Sequence, residues 1–185
     1  MLWGLVGVAA LLLIVLVVFY NRLVGMRQMV RNAWSDVDVY LKRRADLIPN
    51  LVAGVQGYAE HERSTLEATT DARSAALSAG RDIAERAVAE QRLSSRIGEI
   101  LMLAERYPEL KAQANFLDLQ RSLADTEKLI ASARQYYNAC VRDYNTMLEA
   151  FPSNVVAGIG GFKQADFFEV DDSLERLAPS VKGVP

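Results

Sequence analysis

Residues 2–20 read LWGLVGVAALLLIVLVVFY, and residues 30–58 read VRNAWSDVDVYLKRRADLIPNLVAGVQGY. The first stretch carries no charge; among the first 20 residues only Gly4 and Gly7 fall outside the hydrophobic class. A helix of that length covers about 28 Å, close to the roughly 30 Å of a bilayer's hydrocarbon core. Such a helix satisfies its backbone internally, and Trp3 and Tyr20 suit interfacial anchors at its two ends. In the second stretch Val30, Trp34, Val37, Leu41, Arg44, Ile48, Leu51, Val55 and Tyr58 recur at spacings of three and four. Apart from Arg44 that row is apolar, the pattern of a helix lying in a bundle or coiled coil.

A cleaved signal peptide is the competing reading of residues 2–20. It would need basic residues before the apolar run and a small-x-small site after it. The run ends instead in Val-Phe-Tyr-Asn, with no cysteine to carry a lipid, so an uncleaved anchor is expected. Arg22, Arg27 and Arg31 follow at once, and the positive-inside rule places the body in the cytoplasm with the N-terminus outside.

The whole chain has 185 residues, with 21 Lys+Arg against 23 Asp+Glu and a formal net charge of −2. All of those charges follow residue 21, so the chain divides into an apolar segment and a charged body, which argues against a wholly soluble enzyme. The near balance argues against a nucleic-acid partner, which selects basic domains. A lone cysteine, Cys140, can form no intramolecular disulfide and no cysteine-based zinc site.

A second row runs Phe116, Leu119, Leu123, Glu127, Ile130, Ala133, Tyr137, Val141, Tyr144, Leu148, Phe151. A shorter one runs Ile83, Ala87, Leu93, Ile97, Leu101, Ala104, and no segment alternates long enough for a strand. Helices near 22–79, 82–106 and 115–151 are expected, separated at Gly80–Asp82 and around Pro108. Asp46 could cap a new helix with Pro49 in its first turn, but the row keeps phase across Pro49. That favours one long kinked helix. The expected fold is all-α: a transmembrane helix continuing into an elongated antiparallel bundle of three to four long helices. Its parts are an anchor (1–21), a cytoplasmic bundle (22–153), and a Gly/aromatic-rich segment with a C-terminal tail (154–185). Residues 154–168, NVVAGIGGFKQADFF, are read as a loop folding back over the bundle, with a membrane dip or subunit contact as alternatives. Residues 171–177 are read as one or two further helical turns.

No constellation for chemistry stands out. His61, flanked by Glu60 and Glu62, reads as a structural or helix-end residue, and Cys140 as a small buried one. No nucleophile elbow, phosphate loop or zincin motif is present in the sequence, so no catalytic residue, metal or cofactor is expected. Lys42-Arg43-Arg44 resembles an anionic-lipid patch, but on a straight helix Arg43 stands about 33 Å beyond Asn21. That is several Debye lengths from the headgroups. Arg44 sits on the apolar row and needs a partner, for which Glu127, Asp38 and Glu62 are candidates; alternatively it snorkels to solvent. Tyr137-Asn138 and Tyr144-Asn145 recur at seven on one helix face, where they could fix register. Trp34, Arg43, Arg44, Glu127, Arg134, Tyr137 and Tyr144 are the candidate structural or partner contacts.

Two blocks carry a family resemblance: AWSDVDVYLKRRADLIPNLVAGVQGYAEHE from Ala33, with Ala72-Arg73 following, and Tyr107–Phe168 with YPELKAQANFLDLQ, TEKLIASARQYYN and VRDYNTMLEAFPSN. On these the chain resembles the LemA family of bacterial membrane proteins, departing at Gln56, Gly160 and a short divergent C-terminus. The resemblance implies an elongated helical bundle behind a single-pass anchor in the bacterial inner membrane, with no established catalytic activity to carry over. It also implies relatives in magnetosome membranes and gene neighbours encoding a membrane zinc metalloprotease. Three readings follow. The first is a non-enzymatic, bilayer-anchored scaffold that self-associates into a homo-oligomer, Gly4, Gly7 and Ala10 permitting helix contact in lipid. The second is an accessory or adaptor subunit of a membrane quality-control protease. An enzyme is the third, and the missing nucleophile–base set argues against it.

Overall fold

A computed structural model describes residues 2–58, 62–80 and 82–169. His61 and residues 171–177 lie outside the described residues. Six helices form in chain order: α1 (Leu2–Gln56), α2 (Arg63–Ser78), α3 (Ile83–Ala104), α4 (Pro108–Lys111), α5 (Ala114–Glu149) and α6 (Ser153–Ile159). Among the described residues there is no strand, as the helical rows require.

The first helix is unbroken from the apolar segment into the bundle. It is long enough, and over an 18-residue stretch apolar enough, to cross a membrane, and none of that stretch is buried within the chain. From Asn21 onward Leu23, Val30, Val37, Leu41, Ile48, Leu51 and Val55 are buried on one face. α2 folds back along α1, α3 returns, and α5 runs antiparallel to α1 along the whole bundle. Gly54 faces Phe116 at one end, Arg44 meets Glu127 midway, and Met26 and Met147 line one cleft at the other end. At 36 residues α5 is about 54 Å long, which sets the length of the rod.

The long helix expected over 22–79 ends instead at Gln56. Gly57 weakens helix propagation there. The gain lies in packing: reversed, α2 buries Leu66, Thr69, Ala72 and Ala76, which a straight continuation would leave in water. Where α3 restarts, Asp82 is the N-cap, its Oδ1 accepting from the Ala84 and Glu85 amides at 2.8 and 3.0 Å. α5 ends at Glu149, so Phe151, the last member of its row, lies off the helix and 84% exposed.

Pro49 lies inside α1 on its exposed face. It has no N–H to give the carbonyl four residues back, that of Ala45. Arg73 on α2 takes the missing donor's place, its Nε donating to the Ala45 oxygen at 2.7 Å. A charged donor on an otherwise unmet carbonyl is worth about 1.5–3 kcal/mol. Arg73→Met should therefore cost about that much by chemical denaturation, and less in a Pro49→Ala background, where residue 49 regains its own N–H. Equal costs in both backgrounds would show that Arg73 does not act through this carbonyl.

Candidate functional site

Two hydrophobic cores form along the rod. One includes Leu23, Val37, Leu41, Ile130, Val141 and Tyr144; the other includes Ile48, Leu51, Leu93, Ile100, Phe116 and Leu123. Between them lies a layer of charge built by α1, α3 and α5. Arg44, 2% exposed, donates through Nη1 to Glu127 Oε1 (2.9 Å) and Ser94 Oγ (2.6 Å), and through Nη2 to Glu90 Oε2 (2.7 Å) and the Glu90 carbonyl (3.2 Å). The other Glu90 oxygen accepts from Arg86 Nε at 2.8 Å, and Arg86 Nη2 reaches Asp38 at 3.2 Å. Asp38 in turn pairs with Lys42 at 2.7 Å. Lys42, Arg44 and Arg86 thus balance Asp38, Glu90 and Glu127. Arg44 Nε is buried without a hydrogen-bond partner, a cost of about 1–3 kcal/mol left inside the layer. Both oxygens of the buried Glu90 are thus held by guanidinium groups.

The second arrangement lies on α5. After Gly161, which adopts φ +65°, the chain leaves α6 and runs extended back along the bundle over residues 162–169. Asn145 and Asn138 each grip it like a strand partner. The Asn145 amide donates to the Ala165 carbonyl and accepts the Ala165 N–H, both at 2.9 Å. Asn138 does the same for Phe168, at 3.2 and 2.9 Å. The preceding tyrosines add Tyr144 Oη to the Lys163 carbonyl (3.0 Å) and Tyr137 Oη to the Asp166 carbonyl (2.8 Å). The register has a simple cause: seven helical residues rise about 10.5 Å, and three extended residues span about 10 Å. Each Tyr-Asn pair therefore meets the strap three residues further along.

Phe168, 1% exposed, closes the strap against Trp34 at 5.3 Å between ring centroids, and Trp34 also packs on Tyr137 at 5.3 Å. At the other end Phe162 meets Tyr20 at 5.5 Å and lies under the Arg27 guanidinium at 5.0 Å. Gly160 leaves room for that ring, since a Cβ there would stand 2.6 Å from it.

Burial, helped by the nearby Asp166 charge, pushes the Tyr137 phenol up to about 12. Burial also raises Tyr144, against the pull of Arg27 and Arg31. The neutral phenol is the donor to the Asp166 carbonyl, so the Tyr137 contribution is complete below pH 10 and is lost as pH rises through about 12. An absorbance titration of tyrosinate should show one late phase near pH 12 that Tyr137→Phe removes; an unchanged titration curve would contradict this.

The residues singled out from sequence fall into three groups. Arg44 and Glu127 meet in the charged layer; Trp34, Tyr137 and Tyr144 meet around the strap. Arg43 is exposed on α1 and Arg134 half-buried on α5. Asp38 serves Arg86, and Glu62 accepts from Arg106 at 3.0 Å, so neither is a partner of Arg44. Sequence reasoning missed Arg86, Glu90 and Ser94. A signal existed in the row Ile83, Ala87, Leu93, Ile97, which skips the helical position filled by Glu90.

The described chain is an all-helical bundle that carries an apolar, membrane-length segment at its start and spends its buried charges on one another. It belongs to the LemA family, whose model matches residues 33–182. It is similar to magnetosome protein MamQ 2 of Paramagnetospirillum magneticum, 26% identical over 175 residues, covering 81% of this chain and 64% of that protein. Magnetosome protein MamQ of Magnetospirillum gryphiswaldense is 26% identical over 174 residues, covering 80% and 64%. Protein LemA of Metamycoplasma hominis is 24% identical over 163 residues, covering 85% and 74%. The chain thus spans 64% of the length of the magnetosome relatives it matches.

Proposed function

We propose that this chain is a non-enzymatic, membrane-anchored helical scaffold that self-associates. The observation that carries the reading is the continuity of α1: an exposed apolar segment enters the bundle with no linker, so the rod is held directly against the bilayer. The balance of Lys42, Arg44 and Arg86 against Asp38, Glu90 and Glu127 supports a structural use of the buried charges. Arg22, Arg27 and Arg31 favour a cytoplasmic rod in the inner membrane. Leu129 and Tyr136, seven residues apart and exposed on α5, supply apolar surface for a second copy.

Crosslinking mass spectrometry in native membranes, with mass photometry of the full chain in nanodiscs, tests this. Self-crosslinks and a mass above the monomer are expected. A strict monomer overturns self-association, and recovery of a membrane protease in place of self-contacts replaces it with the adaptor reading.

A further inference from the structure

α6 is apolar on two faces. Val156 and Ala157 are buried in the core nearer the apolar segment, while Val155 and Ile159 are exposed, Ile159 by 74%. Phe151 precedes them at the same interval of four and is also exposed. Ser153 is taken up by the turn, its Oγ 2.7 and 2.9 Å from the Met147 and Ala150 carbonyls. Only Asn154 is left as a polar exposed side chain in the helix. A helix apolar on both sides is suited to a core or to lipid, and poorly to water.

Its position names the occupant. Phe19, Arg22 and Met26 of α1 share a cleft of about 480 Å³ with Met147, Phe151 and Ser153, and Phe162 just beyond α6 touches Tyr20 and Arg27. α6 therefore sits beside α1 where the apolar segment ends. From Tyr20 to Met26 the helix rises about 9 Å, against an interfacial layer roughly 5–8 Å thick on each side of a bilayer. Phe151 of the exposed stripe shares that cleft with Phe19, and Val17 and Val18 just before it on α1 are exposed as well. Arg22 and Lys163 lie exposed nearby, at the level that suits headgroup phosphates.

We infer that Phe151, Val155 and Ile159 form a second, monotopic membrane contact, dipping into the bilayer's interfacial zone beside the anchor. The inference rests on the reading that residues 2–20 cross the bilayer. With two points of contact the rod cannot swivel freely about α1, and its tilt is set.

The test uses the full chain in phosphatidylcholine/phosphatidylglycerol vesicles, with an environment-sensitive fluorophore at Val155→Cys, Ile159→Cys, Leu12→Cys or Val88→Cys in a Cys140→Ala background. Leu12 reports the anchor, and Val88, 69% exposed on α3, reports water. Shallow lipid-borne quenchers should quench positions 155 and 159 at least about twofold more than position 88. Quenching at 155 and 159 equal to that at 88, by aqueous iodide, overturns the inference. Shielding from both quenchers also overturns it, in favour of a second copy covering the stripe. Loss of lipid quenching at position 12 overturns the anchor reading itself, which separates the two failures. On the unmodified chain, a phospholipid bearing a photoreactive headgroup should mark residues 151–159 as well as the anchor; marking of the anchor alone overturns the inference.

Discussion

Replacing Glu90 by alanine is expected to destabilise the bundle by about 3–5 kcal/mol, the cost of removing one partner from a buried ion pair. Glu90 is 2% exposed, and its two oxygens serve two guanidinium groups from different helices, Arg44 of α1 and Arg86 of α3. Without it Arg44 keeps Glu127 and Ser94, and Arg86 keeps only the longer contact to Asp38. Against a whole-domain stability of about 5–15 kcal/mol this is a large loss. It should appear as a lowered denaturation midpoint for the full chain in nanodiscs. Replacing the buried trio together, Arg44→Met with Arg86→Leu and Glu90→Leu, should recover most of the loss, because well-packed apolar groups of similar volume match or exceed a buried ion network in stability. Glu127 and Asp38 reach solvent and tolerate the change, with side-chain exposures of 44% and 27%. A Glu90→Ala midpoint equal to the parent's would show that the layer is not held together through this carboxylate.

The trio also separates stability from specificity. Apolar rows repeat along α1 and α5, and a slip by one heptad would still set apolar side chains on apolar ones. A charged layer at one level penalises such a slip, since it strands Arg44 against an apolar surface. The apolar trio variant is therefore expected to be stable and to show crosslinks between α1 and α5 in more than one register. A single register in that variant would remove the layer's role in alignment.

The second large effect is at the strap. Phe168→Ala should cost about 3–5 kcal/mol, the range for deleting a buried aromatic ring. The loss should be local, because residues 162–169 form no helix or sheet of their own and the Tyr-Asn side chains grip them from Lys163 to Phe168. Trp34 loses one of its two ring neighbours, so its emission should shift to the red. Trypsin should gain access after Lys163, whose carbonyl is held by Tyr144 in the parent. Asn145→Ala should act in the same direction but less, since it removes hydrogen bonds worth about 0.5–1.5 kcal/mol each and no ring. Parent-like protection at Lys163 in Phe168→Ala would show that the Tyr-Asn pairs hold the strap without the ring.

Much of this molecule follows from helical periodicity, which is a local property. The uncharged run to Tyr20, the rows beginning at Val30 and Phe116, and the restart at Asp82 are local features, and each lies on its helix apart from the last member of each row, Tyr58 and Phe151. Arg44 and Glu127 stood out because each interrupts such a row. The sequence by itself therefore determined a membrane-length apolar segment, an all-helical body, and two charges that need company. Only the tertiary structure decided which company. That α1 stops at Gln56 depends on what α2 gains by reversing, and no residue near Gly57 encodes that gain. Arg73 completes a bond missing from Pro49 on another helix, and Glu90 reaches Arg44 from a third. The Tyr-Asn heptad was visible as a face, but its partner is an extended strap whose match rests on seven helical residues equalling three extended ones in length. Such pairings join elements far apart in sequence, and no periodicity within one element encodes them.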